Sequence, residues 1–255
     1  MKVACFQFPV VQANFEDNLN QIKIGLLSKK ADLIVLPELC TSGYFLSKEK
    51  WILYSSPTFW NKTIDEMTSF AGFLNTHIVF AIPKMIDNKI YNISYLINET
   101  GILGAQAKIH ITDDEKITFA SNPIWRINPI ETDFGKIALI SCFDLWDSSL
   151  FRQIKADKVG LICSPCAFGS DMSPIIAKSR ALEFNTPIAL SNRTGIEEID
   201  GVYESFVGMS TIWDASGEVL TQASLETEFI CSAVELLQIE SLPFCKNLRQ
   251  EMKWR

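Results

Sequence analysis

The sequence predicts an α/β fold. Short apolar runs recur along the chain with amphipathic helical stretches between them. Several of these runs, such as ADLIVLPEL, are apolar throughout rather than alternating, as expected of strands covered on both faces. No Gly/Ser/Pro-rich linker, low-complexity stretch or internal repeat divides the 255 residues, so one domain over 1–255 is the simplest organisation.

In chain order, KVACFQF reads as a first strand rather than a signal peptide. Residues 16–30 place Leu19, Ile22 and Leu26 on one helical face. ADLIVLPEL is a buried strand, 58–75 a helix, and HIVFAIP a strand. KIYNISYLINETG alternates ahead of a turn at Glu99-Thr100-Gly101, and ILGAQAKIHI is the next strand. GKIALISC and VGLICSPCAF flank a helix at about 147–157. Residues 172–185 are helical, PIALSNRTG is a strand, and SFVGMSTIWDASGEVL is a hairpin turning at Ala215-Ser216-Gly217. The tail from about 233 is mixed in character, and a contact with a partner subunit is one use for it.

Composition narrows the function classes. Hydrophobic residues make up 47% and charged residues 21%, ordinary for a soluble globular protein. The net charge is −7 with no Lys/Arg cluster, which argues against nucleic acid or an anionic membrane surface as partner. No apolar run approaches the roughly 18 residues of a spanning helix. The seven cysteines are scattered, mostly in apolar contexts, which suits free thiols in a reducing cytoplasm.

Three places set a reactive side chain at a buried strand. Glu38 ends VLPEL, Lys108 interrupts AQAKIHI, and Cys142 ends IALISC. Each alone has a plain structural explanation: a carboxylate reaching solvent, a lysine blunting an edge strand, a small packed thiol. Together they are a set that chemistry can use. A thiol needs a base or a cation nearby to attack as thiolate. A glutamate can move protons, and a lysine can hold a developing oxyanion.

In this order and context the three segments resemble the nitrilase or carbon–nitrogen hydrolase superfamily. The matching blocks are LPELCTSGY, AKIHITDDE and SCFDLWDSSLFR, and further resemblance runs through VACFQFPV, IVFAIPKMIDNKIYNISYLINETG, KSRALEFNTPIALSNRTG and FVGMSTIWDASGEVL. The resemblance implies a four-layer αββα sandwich, dimerisation that stacks two such sandwiches, and a Glu-Lys-Cys triad. Glu38 would be the general base, Lys108 the oxyanion stabiliser and Cys142 the nucleophile, with Glu115 of DDEKITFASN as a second glutamate. No metal or organic cofactor is implied. Where the family reads Pro-Glu after the cysteine block, this chain has Ser148-Ser149.

The activity expected from the resemblance is hydrolysis of a small amide, of the ω-amidase or aliphatic amidase kind. N-carbamoyl hydrolysis, nitrile hydrolysis and a non-catalytic binding member are the alternatives. Tyr44, Phe143, Trp146, Cys166 and Phe168 are the expected substrate contacts, and a homodimer or higher homo-oligomer is the expected assembly. Several other readings stay open. Cys163 and Cys166 have C-x-x-C spacing, but no second pair accompanies them. His110 lies two residues beyond Lys108, so on a strand both would share a face. Asp144 and Arg152 suggest an ion pair steadying the turn after Cys142, and Asn192-Arg193 a hydrogen-bonded turn.

Overall fold

The computed structural model describes residues 1–199 and 201–236. The expectation of a tail contact from about 233, and Cys245, fall mostly or wholly outside the described residues.

Two six-stranded sheets form the centre. In chain order the elements of the first half are β1 (Lys2–Gln7), α1 (Phe15–Leu26), β2 (Leu33–Val35), α2 (Lys48–Tyr54), α3 (Pro57–Leu74), β3 (His77–Ile86), β4 (Lys89–Asn98) and β5 (Gly101–Ala107). There follow β6 (Ile130–Thr132), β7 (Gly135–Leu139), α4 (Ser148–Ala156), β8 (Leu161–Pro165), α5 (Met172–Phe184) and β9 (Ile188–Ser191). The chain continues through β10 (Thr194–Ile199), β11 (Val202–Val207), β12 (Thr211–Trp213), β13 (Val219–Gln222) and β14 (Glu228–Ala233). The first sheet runs β14-β1-β2-β3-β4-β5 and the second β13-β12-β9-β8-β7-β6, while β10 and β11 form a separate hairpin. In each sheet three neighbouring strands are parallel, β1-β2-β3 and β7-β8-β9.

Strand alternation explains the layering. Val3 and Cys5 of β1 join Leu33, Val35 and Val79 against Ile137, Leu139, Leu161 and Ala189 of the second sheet, which is the layer between the sheets. Ala4, Phe6, Ile34, Ile78 and Phe80 point the other way, onto α1 (Leu19, Ile22, Leu26) and α3 (Ile64, Met67, Phe70). On the outer face of the second sheet, Ala138, Ile140, Ile162 and Leu190 pack on Leu150, Phe151 and Ile154 of α4 and on Ala177, Ala181 and Phe184 of α5. The order is helix, sheet, sheet, helix, the four-layer αββα sandwich. A strand with apolar side chains on both faces needs exactly this double cover only because both its neighbours are dry, hence the unbroken apolar runs in the sequence. No described helix is long and apolar enough to cross a membrane.

Local signals set the helix ends. Asn14 caps α1 by accepting from Asp17 N. Ser56 caps α3 just ahead of Pro57, and Asn75 ends that helix in the left-handed region at φ 51°.

The structure corrects the sequence reading in several places. The run ADLIVLPEL is strand only over Leu33–Val35, after which the chain leaves the sheet and carries Glu38. The strand of ILGAQAKIHI stops at Ala107. Lys108 and His110 therefore lie in irregular chain, and the two-residue alternation that put them on one face does not apply. Residues 205–207 belong to β11 and pair with β10, so the later hairpin contains only β12 and β13. The short α2, the β10–β11 hairpin and edge strand β14 had no clear periodic signal.

Leu33 is fully buried between the sheets. Leu33→Ala is expected to lower unfolding free energy by about 2–5 kcal/mol in urea denaturation, through lost transfer energy and a residual cavity. Leu27 is 59% exposed, and Leu27→Ala is expected to change it by less than about 0.5 kcal/mol.

Candidate active site

The reactive residues leave the sheets at one end. Glu38 follows β2, Cys142 follows β7 and Cys166 follows β8, each beyond the C-terminal end of a parallel strand. That edge is where open α/β sheets place ligands, because successive connections diverge there and leave a crevice. Lys108 arrives from the antiparallel β5, and its N–H still bonds to Asn92 O of β4 at 2.9 Å. Glu38 N donates to Cys166 O at 3.1 Å and ties the glutamate segment to the opposite sheet.

Backbone conformation at two of these points is unusual. Leu39, next to Glu38, has φ 52°, and Cys142 itself has φ 46°. Non-glycine residues reach this region at a steric cost, which persists only where surrounding contacts impose it. For Cys142 the restraints include Asp144 N bonding to Ser141 O at 2.9 Å and the Ser141–Ser94 hydroxyl contact at 2.6 Å.

Lys108 Nζ lies 2.8 Å from Glu38 Oε1 and 2.6 Å from Glu115 Oε1. Glu38, Lys108 and Glu115 are 0%, 2% and 3% exposed, so water screens none of the three. Asn92 Nδ2 also donates to Glu38 Oε1 at 2.7 Å. Glu115 is held from its other oxygen by Thr112 N at 2.9 Å, and Thr112 Oγ1 accepts from Glu115 N at 3.3 Å. This reciprocal pair has the form of a capping box.

Each group's acidity follows from these neighbours. Burial raises the Glu38 pKa, Lys108 pulls it down and Glu115 pushes it up, for a net rise. Burial alone would lower Lys108, but Glu38, Tyr44, Cys142 and Glu115 outweigh it and hold the ammonium well above the usual range. The Cys142 thiol is raised well above its ordinary value by its hydrogen bond with Cys166, by burial and by the Glu38 charge, against the pull of Lys108. At rest the sulfur keeps its proton. Glu38 Oε2 is buried and has no hydrogen-bond partner, and the Cys142 thiol acts on the Glu38 pKa in the lowering direction.

A second network joins the lysine segment to the cysteine turn. Asp144 accepts from Ile109 N at 3.1 Å, from His110 N at 2.6 Å and meets His110 Nδ1 at 3.0 Å. His110 Nε2 is 3.2 Å from Asp147 Oδ2. Asp144 is thus taken up by the lysine segment rather than by Arg152. His110 steadies this junction and is engaged on both ring nitrogens by carboxylates.

A cavity of about 610 Å³ adjoins the cluster. Glu115 and Ala167 belong to its wall, and Cys142 Sγ lies 3.9 Å from Ala167 O. Of the expected substrate contacts, Tyr44 lines this cavity. Cys166 is buried behind Cys142, its sulfur 3.3 Å from Ser164 Oγ. Phe168 packs into the core between the second sheet and its helices, its N–H donating to Asn192 Oδ1 at 3.0 Å. Phe143 and Trp146 do not line the cavity; they are 38% and 43% exposed and lie against each other at 6.4 Å. They follow Cys142 in a tight 3₁₀ turn that swings them to the outside. Cys163 faces the inter-sheet layer, Cys163 and Cys166 are both free, and no metal-ligating group occurs among the described residues.

The sequence reading missed the far wall. Phe45, Trp51, Phe119, Glu204 and Phe206 line the cavity, and β10–β11 supplies two of them. Glu197 of that hairpin receives Tyr44 N at 2.9 Å and Phe45 N at 2.7 Å and pairs with the buried Arg193 guanidinium. Arg193 also stacks 4.1 Å from the Phe206 ring centroid. A glutamate in TGIEEI gives no hint of this role, because Tyr44 and Phe45, whose N–H groups it receives, are distant in sequence. Asn192 bonds Phe168 N, Phe168 O and Gly208 O, a clamp wider than a local turn.

Comparison with known proteins supplies the family. The carbon–nitrogen hydrolase family model matches residues 2–244. This chain belongs to the carbon–nitrogen hydrolase family. A probable nitrilase of Schizosaccharomyces pombe is 28% identical over 96% of this hydrolase and 92% of its own length. A 2-oxoglutaramate amidase of Paenarthrobacter nicotinovorans is 29% identical, covering 83% and 75%. Among solved structures, a carbon–nitrogen hydrolase of Helicobacter pylori G27 superposes with a TM-score of 0.82 at 22% identity, over 92% of this chain and 89% of that one. A variant of the amidase from Nesterenkonia sp. AN1, with acrylamide added at its active-site cysteine, also gives 0.82 at 18% identity, over 99% and 100%. These structural likenesses share the sandwich fold. The hydrolase is an amidase-like enzyme of its family.

The His110 junction has a definite pH sign. The Asp144 hydrogen bond raises the His110 pKa first, burial opposes it, and the Asp144 and Asp147 charges add to it. A raised folded pKa gives stability that is complete below the unfolded value, about 6.5 for histidine, and lost as pH rises through the folded value. The stability advantage of wild type over His110→Gln is expected to be full below about pH 6.5 and to shrink as pH rises above it in parallel denaturation curves. An advantage independent of pH would remove the ion pair from the account.

Proposed function

We propose that this hydrolase cleaves small amides through a thioester on Cys142, with Glu38 moving the protons and Lys108 holding the oxyanion. The observation that carries the reading is the convergence of Glu38, Lys108 and Glu115 into one dry charge cluster that also acts on the Cys142 thiol.

On this reading Glu38 accepts the thiol proton as Cys142 Sγ attacks the amide carbon. The carbonyl oxygen becomes negative beside the Lys108 ammonium, with the Phe143 N–H as the second donor. Glu38 then passes its proton to the departing nitrogen, and ammonia or an amine leaves. Water gives a proton to Glu38, attacks the thioester carbon and releases the acid, and the proton returns to sulfur. The resting thiol suits this order, since a protonated nucleophile needs a base poised within reach. Glu115 binds the Lys108 ammonium at 2.6 Å beside Glu38, and this supports a role in aiming it. An amide substrate is supported by the 2-oxoglutaramate amidases and the omega-amidase among its relatives, which stand beside two nitrilases and a citrullinase.

Ammonia release from a panel of short amides, carbamoyl amino acids and nitriles tests the reading. Cys142→Ala is expected to abolish release. Lys108→Ala is expected to lower kcat by at least about 10²–10³, the usual effect of losing an oxyanion donor. Glu38→Gln is expected to be similarly impaired while still alkylated by iodoacetamide at Cys142. Wild-type turnover surviving in Cys142→Ala would end the proposal.

The same reading includes a homodimer in a reducing compartment such as the cytoplasm. Six cysteines of the described residues are free thiols, which agrees with that compartment. The turn that carries Phe143 and Trp146 receives Arg180 of α5 at Leu145 O and Trp146 O, and on the same helix Met172 and Ile175 are 47% and 55% exposed. A second copy covering this apolar face accounts for its exposure. Sedimentation is expected to give a dimer for wild type and a monomer for Trp146→Glu; a wild-type monomer at about 10 μM would refute it, since stable dimers persist at such concentrations.

A further inference from the structure

The cavity beside the reactive cluster has a charge pattern that bears on substrate choice. Its wall carries three carboxylates, Asp114, Glu115 and Glu204, and no lysine or arginine among the described residues. Glu115 is buried and engaged by Lys108. Asp114 and Glu204 are exposed at the cavity and have no ion pair or side-chain hydrogen bond. The same wall is largely aromatic, with Tyr44, Phe45, Trp51, Phe119 and Phe206. The nearest buried guanidinium, Arg193, lies beneath Phe206, is 0% exposed and is paired with Glu197. Lys48 and Lys89 border a separate neighbouring cavity that shares Trp51 and Phe119 with this one.

Consider an amide carbon held at Cys142. On the amide-hydrolase reading the far end of a short substrate occupies this cavity, which reaches Cys142 through Ala167 and whose wall carries Asp114 and Glu204 beside the rings. A carboxylate there meets two unpaired carboxylates and no cation, a repulsive arrangement that loses hydration without a partner. A neutral methyl end packs on the rings. A protonated amine gains from both features: aromatic faces attract cations, and the two acids supply opposite charge. The chain's net charge of −7 works in the same direction for approach.

Resting on the amide-hydrolase reading, we propose that this cavity selects short amides whose far end is a protonated amine, accepts neutral ones less well and rejects those ending in a carboxylate, with Glu204 and Asp114 as the specificity-determining residues. This separates the chain from the relatives named 2-oxoglutaramate amidase, whose substrate carries a carboxylate.

The test uses three amides of equal length: pentanamide, 5-aminopentanamide and the monoamide of glutaric acid. kcat/KM is measured for each at low and high salt. The expected order is amine, neutral, carboxylate. The amine-to-neutral ratio is expected at about three- to tenfold, the scale of partly exposed charge pairs, and to fall as salt screens it. The double variant Asp114→Asn/Glu204→Gln is expected to bring that ratio close to one. Glu204→Lys is expected to move the carboxylate substrate ahead of the amine. A carboxylate amide as best substrate, or a ratio unchanged in the double variant, overturns the proposal. Binding of the three amides to Cys142→Ala, read by calorimetry, separates the two readings. The same charge order in binding without turnover by wild type would retain the selectivity and refute the hydrolase chemistry. Turnover with no charge order in either measurement would retain the chemistry and refute the selectivity.

Discussion

The centre of this protein depends on one lysine ammonium kept out of water. Lys108 Nζ touches Glu38 at 2.8 Å and Glu115 at 2.6 Å, and none of the three has appreciable access to solvent. Burying such charges is costly unless they are paired and hydrogen-bonded, and removing one partner leaves another uncompensated. The cluster therefore constrains its surroundings. Asn92 must serve Glu38, Thr112 must serve Glu115, and Asp144 must hold the chain immediately after the lysine. Glu38 and Lys108 both follow strands of the first sheet, and Asp144, which follows β7 of the second, ties the lysine segment to the other half of the sandwich.

That constraint sets the acidity of the site. A carboxylate next to a buried cation would ordinarily ionise easily, yet burial and the second carboxylate keep the Glu38 pKa raised. The thiol is raised too, by Cys166, burial and Glu38. Base and thiol are thus both shifted in the direction that keeps a proton available for transfer between them. The ammonium is locked in its charged form by the same carboxylates. A dry environment strengthens each of these interactions, and a small polar substrate entering the site meets groups already oriented.

The shape of the cavity depends on a different buried pair. Arg193 and Glu197, both inaccessible, hold the Tyr44–Phe45 backbone and support Phe206 from beneath. The hairpin that carries Glu197 stands outside both large sheets. The reactive cluster is fixed by the sheet ends, while the wall facing it comes from loops and a small hairpin. The charged cluster and the aromatic wall are in this way carried by separable parts of the fold, as is common where a rigid scaffold presents variable loops.

The amino-acid sequence by itself determined the alternation of strands and helices, because unbroken apolar runs and a 3.6-residue periodicity are local signals of burial. With the resemblance of its Glu38, Lys108 and Cys142 segments to a known superfamily, it also pointed to the layered architecture and to the short set of residues proposed as reactive. Only the tertiary structure decided where β2 and β5 stop, since a strand ends where its partner's hydrogen bonds end, and no local pattern reports that. It alone turned Phe143 and Trp146 outward through the 3₁₀ turn after Cys142, and gave Asp144 to His110 in place of Arg152. It alone brought Glu197 to Tyr44 across some 150 residues and set Glu204 and Phe206 in the cavity wall. The physical reason is common to all of these. Burial patterns are written in neighbouring residues, whereas hydrogen-bond and charge partners are chosen by proximity in space after the sheets have closed on one another.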